Sequence, residues 1–289
     1  MDGFSDLLED IKKTGGILMW ITQKKQFLDS LYMTTKRTPE QIKQDVIQSP
    51  RLRHVIDQIL TNHANAFNAK LNKHLNNSSK TKTTLPMADN NSEEVRSYLK
   101  GKRDEIEKEA KSILDEMAHD FNLKYVRVLG YVVVHVFNRI FKNIYYNSDI
   151  MDVMQVANHY PTVLLPLHRS YIDFMIISVL CFHKNIKMPA VAAGQDFLGL
   201  SFLSKVIRHC GAFFIRRSFG SDELYWAIFQ QYVQEHLTNC DRPLEFFIEG
   251  TRSRTSKSLQ PKQGNYKKYY YCQMYGLYKV NYRNVGNMR

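Results

Sequence analysis

The chain has 289 residues, 44% of them apolar, enough for one large or two modest domains with a sizeable buried core, and too much for a disordered protein. Its net charge of +12 is unevenly placed: residues 252–289 carry nine Lys and Arg and no Asp or Glu, leaving +3 to the rest. Such a patch suits an anionic surface or an acidic substrate, and without a zinc-finger, basic-zipper or RNA-recognition signature no nucleic-acid partner is expected. The four cysteines, Cys181, Cys210, Cys240 and Cys272, lack paired spacing, so neither a disulfide framework nor a metal site is expected. The acidic start has no apolar core after a basic end, which excludes a signal peptide, and the longest apolar run, 128–137, is too short to span a bilayer.

Residues 1–75 read as several short amphipathic helices, with Thr38-Pro39-Glu40-Gln41 as a helix start and Ser49-Pro50 as a break. Residues 76–92, rich in Asn, Ser and Thr, read as an exposed loop. A helix is expected from Ser92 to about Asp120, with Ile106, Ile113, Leu114 and Met117 as its buried stripe. The stretch 121–146 is more apolar and ringed with Lys and Arg. It fits a core helix and equally a helix lying at a membrane interface, with cationic side chains reaching the headgroups. Residues 1–150 are thus a helical N-terminal region.

From Met151 strands alternate with helices, which predicts an α/β fold, a helix-covered mixed sheet. The strands are expected at 162–167, 188–193, 211–215 and 244–248, with helices at 174–180, 199–209 and 221–239. Their polar or Gly ends should gather at one edge.

The first strand, Thr162 to Leu167, runs into His168-Arg169-Ser170-Tyr171-Ile172-Asp173. His168 therefore falls at a strand-to-helix turn, where chemistry sits in an open α/β sheet. Two roles compete for Asp173. Ser170 to Asp173 fits a capping box, and His168 with Asp173 fits a base and its carboxylate partner. The spacing alone is weak, because a second His-x4-Asp stands at His236 and Asp241, on what reads as the frayed end of a helix. The third strand ends in Arg216-Arg217 and the fourth in Glu249-Gly250-Thr251-Arg252-Ser253-Arg254. In an extended segment Arg252 and Arg254 point to one side, so two planar guanidinium forks can meet one anion. A base at one strand end and a phosphate clamp at two others describe a site that deprotonates a phosphorylated compound.

In order and spacing, the His168 to Asp173 run, Gly211 to Arg217, and Phe247 to Arg254 resemble the first three sequence blocks of the glycerolipid acyltransferases. Ala192 to Gly199, with Gln195 and Asp196, and Leu224-Tyr225-Trp226-Ala227 look most like the branch that acylates dihydroxyacetone phosphate in ether-lipid synthesis. The resemblance implies His168 as general base and Asp173 as its partner. Arg216 or Arg217, with Glu249, Gly250, Thr251, Arg252, Ser253 and Arg254, would bind the acceptor phosphate. Acyl-CoA would be a substrate, with no cofactor and no metal. The acceptor would be dihydroxyacetone phosphate or, by the same chemistry, glycerol 3-phosphate.

The resemblance also implies a membrane surface as partner and the lumenal side of the peroxisomal membrane as location. It divides the chain into a core at 151–264 and a divergent basic, Tyr-rich tail at 265–289. The family's fourth block and C-terminal targeting tripeptide are missing, so a shortened chain is expected. The strand of the missing block would lie beside the one ending at Glu249 and leave that edge bare. A shortened, inactive form binding membranes or a partner is the competing expectation.

Overall fold

The computed structural model describes residues 3–25, 37–78, 93–170, 172–239, 242–255, 257 and 259–260. Contacts divide the chain into two compact units, one from 1–42, 117–217 and 232–289, the other from 43–116 and 218–231.

In the first unit β1 (Phe4–Asp6) pairs antiparallel with β2 (Tyr145–Asn147), a two-stranded ribbon that the sequence pattern did not announce. Asp6 caps α1 (Leu7–Lys13) by accepting from the Leu8 N–H at 3.0 Å, and α2 (Ile17–Thr22) follows. The start expected at Thr38 is a complete capping box: Thr38 N–H donates to Gln41 Oε1 at 2.8 Å, and Gln41 N–H to Thr38 Oγ1 at 3.2 Å. It opens α3 (Pro39–Gln48).

Ser49-Pro50 is the break expected, and Pro50 opens α4 (Pro50–Ser78), since a first-turn residue needs no N–H partner. At 29 residues α4 corrects the expectation of short helices only, and it carries into the Asn-rich run read as a loop. The remainder of that run lies outside the described residues. α5 (Glu93–Met117) buries Ile106, Ile113, Leu114 and Met117 as expected.

Asn122 caps α6 (Leu123–Ile140), accepting from Lys124 N–H at 3.0 Å. Both readings of this segment have a physical basis. Val126, Val134 and Phe137 enter the core with Trp20, Ile21 and Phe182. A second stripe, Tyr125, Val128, Val132, Val136 and Ile140, is apolar and exposed. No described helix is long and apolar enough to cross a membrane.

After α7 (Ser148–Met154) come β3 (Val163–Leu164), α8 (Asp173–His183), β4 (Ala190–Gly194), α9 (Ser201–His209), β5 (Ala212–Ile215), α10 (Glu223–Thr238) and β6 (Leu244–Glu245). The sheet runs β3-β6-β4-β5, every pairing parallel. Alternating strands and helices produce this, because a parallel neighbour needs a crossover. β3 is shorter than expected because Pro166 has no N–H to continue a ladder. β6 is cut short by a turn in which Gly250, at φ +66, donates to Phe247 C=O at 3.0 Å.

Gly211 makes the turn into β5 at φ +104, where a Cβ would lie 3.1 Å from Pro189 C=O. β6 lies between β3 and β4, which overturns the expected bare edge beside Glu249. Among the described strands of this sheet the open edges belong to β3 and β5.

Candidate active site

All four parallel strands deliver their C-terminal ends to one edge, and His168 follows β3 there. Its backbone is fixed on both sides by the segment after β6. His168 N–H donates to Glu249 Oε1 at 3.3 Å, and Ser253 N–H donates to His168 C=O at 2.9 Å. The Phe247 ring lies 4.3 Å from the imidazole, tilted by 38°. The first and third blocks, some 80 residues apart in sequence, are thus joined through main-chain hydrogen bonds and one aromatic contact.

Asp173 opens α8 and takes both roles considered for it. Its Oδ2 accepts from Arg169 N–H at 2.8 Å and Ser170 N–H at 2.7 Å, while Ser170 Oγ accepts from Ile172 N–H at 3.2 Å. This is the capping box with its Ser bond moved one residue toward the N-terminus. A carboxylate at this end of α8 also meets the positive end of the helix dipole. The same Oδ2 stands 4.0 Å from His168 Nδ1. Nδ1 is buried with no hydrogen-bond partner among the described residues, and the side chains of His168 and Asp173 are 19% and 25% exposed. Burial holds the imidazole below its ordinary midpoint of 6.5 against the opposing charges of Asp173 and Glu249, while the Arg252 charge acts with burial. The ring is therefore a neutral base at pH 7.

The segment after β6 alternates: Arg252 exposed, Ser253 buried, Arg254 exposed. That fits the same-side placement expected of the two arginines. Glu249 turns inward at 1% exposure, Gly250 and Thr251 lie at the surface, and Arg216 is half-buried at the end of β5. Arg217 is held elsewhere, its Nε donating to Asp196 Oδ2 at 2.7 Å and its Nη2 to the same oxygen.

Residues 149–273 match the family model described as Acyltransferase. The chain is 42% identical over 182 residues to the dihydroxyacetone phosphate acyltransferase of Bos taurus, covering 60% of this chain and 27% of that protein. The Homo sapiens protein of the same name is 44% identical over 162 residues, 56% of this chain and 24% of that one. A probable mitochondrial glycerol-3-phosphate acyltransferase of Caenorhabditis elegans is 38% identical over 178 residues, 59% of this chain and 24% of that one. Residues 149–273 thus form an acyltransferase domain, similar in sequence to part of proteins named for dihydroxyacetone phosphate and glycerol 3-phosphate acylation. The chain spans about a quarter of the length of these curated relatives.

Within this acyltransferase domain three partners escaped the sequence reading. Phe247, two residues before Glu249, flanks the turn and reaches the imidazole, and its only sequence signal is its place in the third block. Asp196, which engages Arg217, lies 21 residues from it, and no local pattern joins them. Glu245 is buried in the sheet centre, and its one signal was a charge inside an apolar strand. His236 needs correction. It lies within α10, fully enclosed, its ring 4.7 Å from Tyr232 and 5.0 Å from His119. Asp241, Tyr171, Cys240, Cys272 and residues 265–289 lie outside the described residues.

Proposed function

We propose that the chain is an acyl-CoA-dependent O-acyltransferase that esterifies the hydroxyl of dihydroxyacetone phosphate, with His168 as general base. The observation that carries this reading is the imidazole of His168, kept neutral by burial, with Nδ1 turned to the hydrogen-bonded carboxylate of Asp173 at 4.0 Å. With Nδ1 turned inward, Nε2 is the nitrogen left for an acceptor. It takes the hydroxyl proton as the oxygen attacks the thioester carbon; the C–S bond then breaks, and the departing thiolate of coenzyme A takes that proton from the imidazolium and leaves as the thiol. A thioester is already activated, so no enzyme nucleophile is required. A closure of about 1 Å brings Nδ1 to hydrogen-bond distance of Asp173, which then fixes the tautomer and stabilises the imidazolium.

Arg252 and Arg254 would hold the acceptor phosphate by paired N–H donation, with Arg216 completing the clamp. Their exposure beside the His168 turn supports this role. Glu249 and Ser253 would serve the acceptor indirectly, by holding the His168 backbone. Arg217 would join only after leaving Asp196. The exposed stripe of α6, with Lys124, Arg139 and Lys142 exposed around it, would rest on an anionic bilayer. The resemblance to the ether-lipid branch would set the reaction at the lumenal face of the peroxisomal membrane.

Glycerol 3-phosphate is the second reading of the acceptor, favoured by the match to proteins named for it. Thiol release from long-chain acyl-CoA, followed with each phosphate in turn, separates the two. Dihydroxyacetone phosphate is expected to give the larger kcat/KM. The reverse preference would favour the second reading, and acyl-CoA turnover with neither would leave a binding role alone.

A further inference from the structure

α8 ends on His183, whose side chain is 13% exposed, at the opposite end of the helix from Asp173. The helix has 11 residues, so about 15 Å lie between its two ends. This second imidazole is surrounded by the N-terminal segment. Trp20 of α2, fully buried, donates its Nε1–H to His183 Nδ1 at 3.2 Å. An indole nitrogen only donates, so Nδ1 is the unprotonated nitrogen and the ring proton lies on Nε2. Nε2 stands 4.0 Å from Asp10 Oδ2 of α1, and that oxygen accepts the Tyr146 O–H of β2 at 2.8 Å. Lys25, after α2, donates from Nζ to His183 C=O at 3.2 Å and so satisfies a carbonyl that the end of α8 leaves without a helical partner. Trp20 packs edge to face on Phe182 at 4.9 Å. A polar cluster centred on one residue thus fastens α1, α2 and β2 to the end of α8.

The cluster suits a neutral ring. The charged groups around it are Asp10 and Lys13 of α1, Lys25 after α2, Arg127 of α6 at 5.8 Å from the Phe182 ring, Lys184 after α8 at 5.1 Å from the Tyr146 ring and, across Tyr146, Asp152 of α7. Burial first, then Lys25, with Lys184 adding to both, pushes the His183 midpoint down to about 4 against the charge of Asp10. Tyr146, pushed up to about 12 by burial and its bond to Asp10, stays a donor. A proton placed on Nδ1 sets two donors against each other and leaves the buried Trp20 N–H without an acceptor.

We propose that His183 is an acid-sensitive latch, which holds α1 and α2 on the rest of the unit while its ring is neutral and releases them when the ring takes a proton. The face released is apolar. Ile21 of α2 lies so close to α6 that a Cβ on Gly130 would stand 2.9 Å from its Cδ1, and Trp20, Ile21, Val134 and Phe182 share one buried cluster. The latch stands whether or not His168 is a base. Because the midpoint is depressed in the closed form, that form keeps its full advantage above 6.5, the ordinary histidine value, and loses it as pH falls from there toward about 4. The ratio of open to closed chains should rise by about 10²-fold between pH 7 and pH 4.

Tryptophan fluorescence tests this in the full chain carrying Trp226→Phe, which leaves Trp20 as the one indole. Between pH 6.5 and 4 its emission is expected to move to longer wavelength, ahead of the main loss of far-UV circular dichroism, and to return at neutral pH. In His183→Gln, whose amide oxygen can accept the indole N–H at every pH, the early shift should be absent. A shift that coincides with the loss of dichroism, that survives His183→Gln, or that never appears overturns the proposal. If either variant does not fold, hydrogen exchange of the unsubstituted chain decides. After correction for intrinsic rates, amides of α1 and α2 should exchange about 10-fold faster at pH 5 than at pH 7, measured against those of β4 and β5. Equal acceleration of both sets, or of neither, overturns the latch.

Discussion

His168 and His236 begin the same pattern, His-x4-Asp, and burial keeps both imidazoles neutral at pH 7. Their surroundings separate them. His168 stands at the C-terminal edge of a parallel sheet, its side chain 19% exposed and a carboxylate 4.0 Å from Nδ1. His236 sits inside α10 among Tyr232 and His119 with no exposure, and burial, with the charges of Arg242 and Arg37, pushes it down to about 3. A motif of this size acquires chemical meaning from where the backbone ends a strand. Neutrality alone is no sign of a base.

The comparison predicts effects of different kinds. The largest is on chemistry: His168→Ala should lower kcat by about 10²-fold to 10⁴-fold, the usual worth of a positioned base, with little change in thermal midpoint. The wild-type kcat/KM should fall as pH drops through the lowered His168 midpoint, because only the neutral ring accepts a proton. Steady-state kinetics with circular dichroism checks both statements.

Next comes acceptor binding. Arg252→Ala should raise the acceptor KM by about 10-fold to 100-fold, since a charge-assisted pair is worth roughly 1.5 to 3 kcal/mol, with less change in the KM for acyl-CoA. An unchanged acceptor KM would remove Arg252 from the clamp.

His236→Ala should act on the fold, destabilising it by about 2 to 4 kcal/mol through the cavity left between the Tyr232 and His119 rings. The turnover of the folded fraction should be kept. Because its folded midpoint is depressed, the stability given by neutral His236 is complete above 6.5 and is lost as pH falls from there toward about 3. Urea melts at pH 7 and pH 5 should therefore show a smaller acid loss in His236→Phe than in the wild type.

The smallest effect concerns Asp196, whose pair with Arg217 is exposed on both sides. Asp196→Ala should change stability by less than about 1 kcal/mol. If the freed Arg217 then reaches the phosphate, the acceptor KM should drop severalfold. An unchanged KM would place Arg217 outside the site.

Local chemistry was legible in the sequence, and partners made by tertiary packing were not. The Thr38 capping box, the Pro50 start, the Ser170 to Asp173 cap and the stripe of α5 each rest on residues within a few positions of one another. The convergence of strand ends followed from the alternation of strands and helices. Strand order did not, because nothing local says that β6 enters between β3 and β4. The β1–β2 ribbon joins three-residue segments about 140 residues apart, too short to carry a period. His236 was the avoidable error. Tyr225, Phe229, Tyr232 and Val233 form one buried face of α10, and His236, four residues after Tyr232, continues it.

The most direct test of the account, that His168 acts as a base and His236 as packing, is rescue of their alanine variants by added imidazole at constant acyl-CoA and acceptor. The account predicts that imidazole restores turnover in His168→Ala, in proportion to its neutral form, and leaves the folded fraction of His236→Ala unaffected. Equal losses of kcat in the two folded variants, with no rescue of His168→Ala, would contradict it.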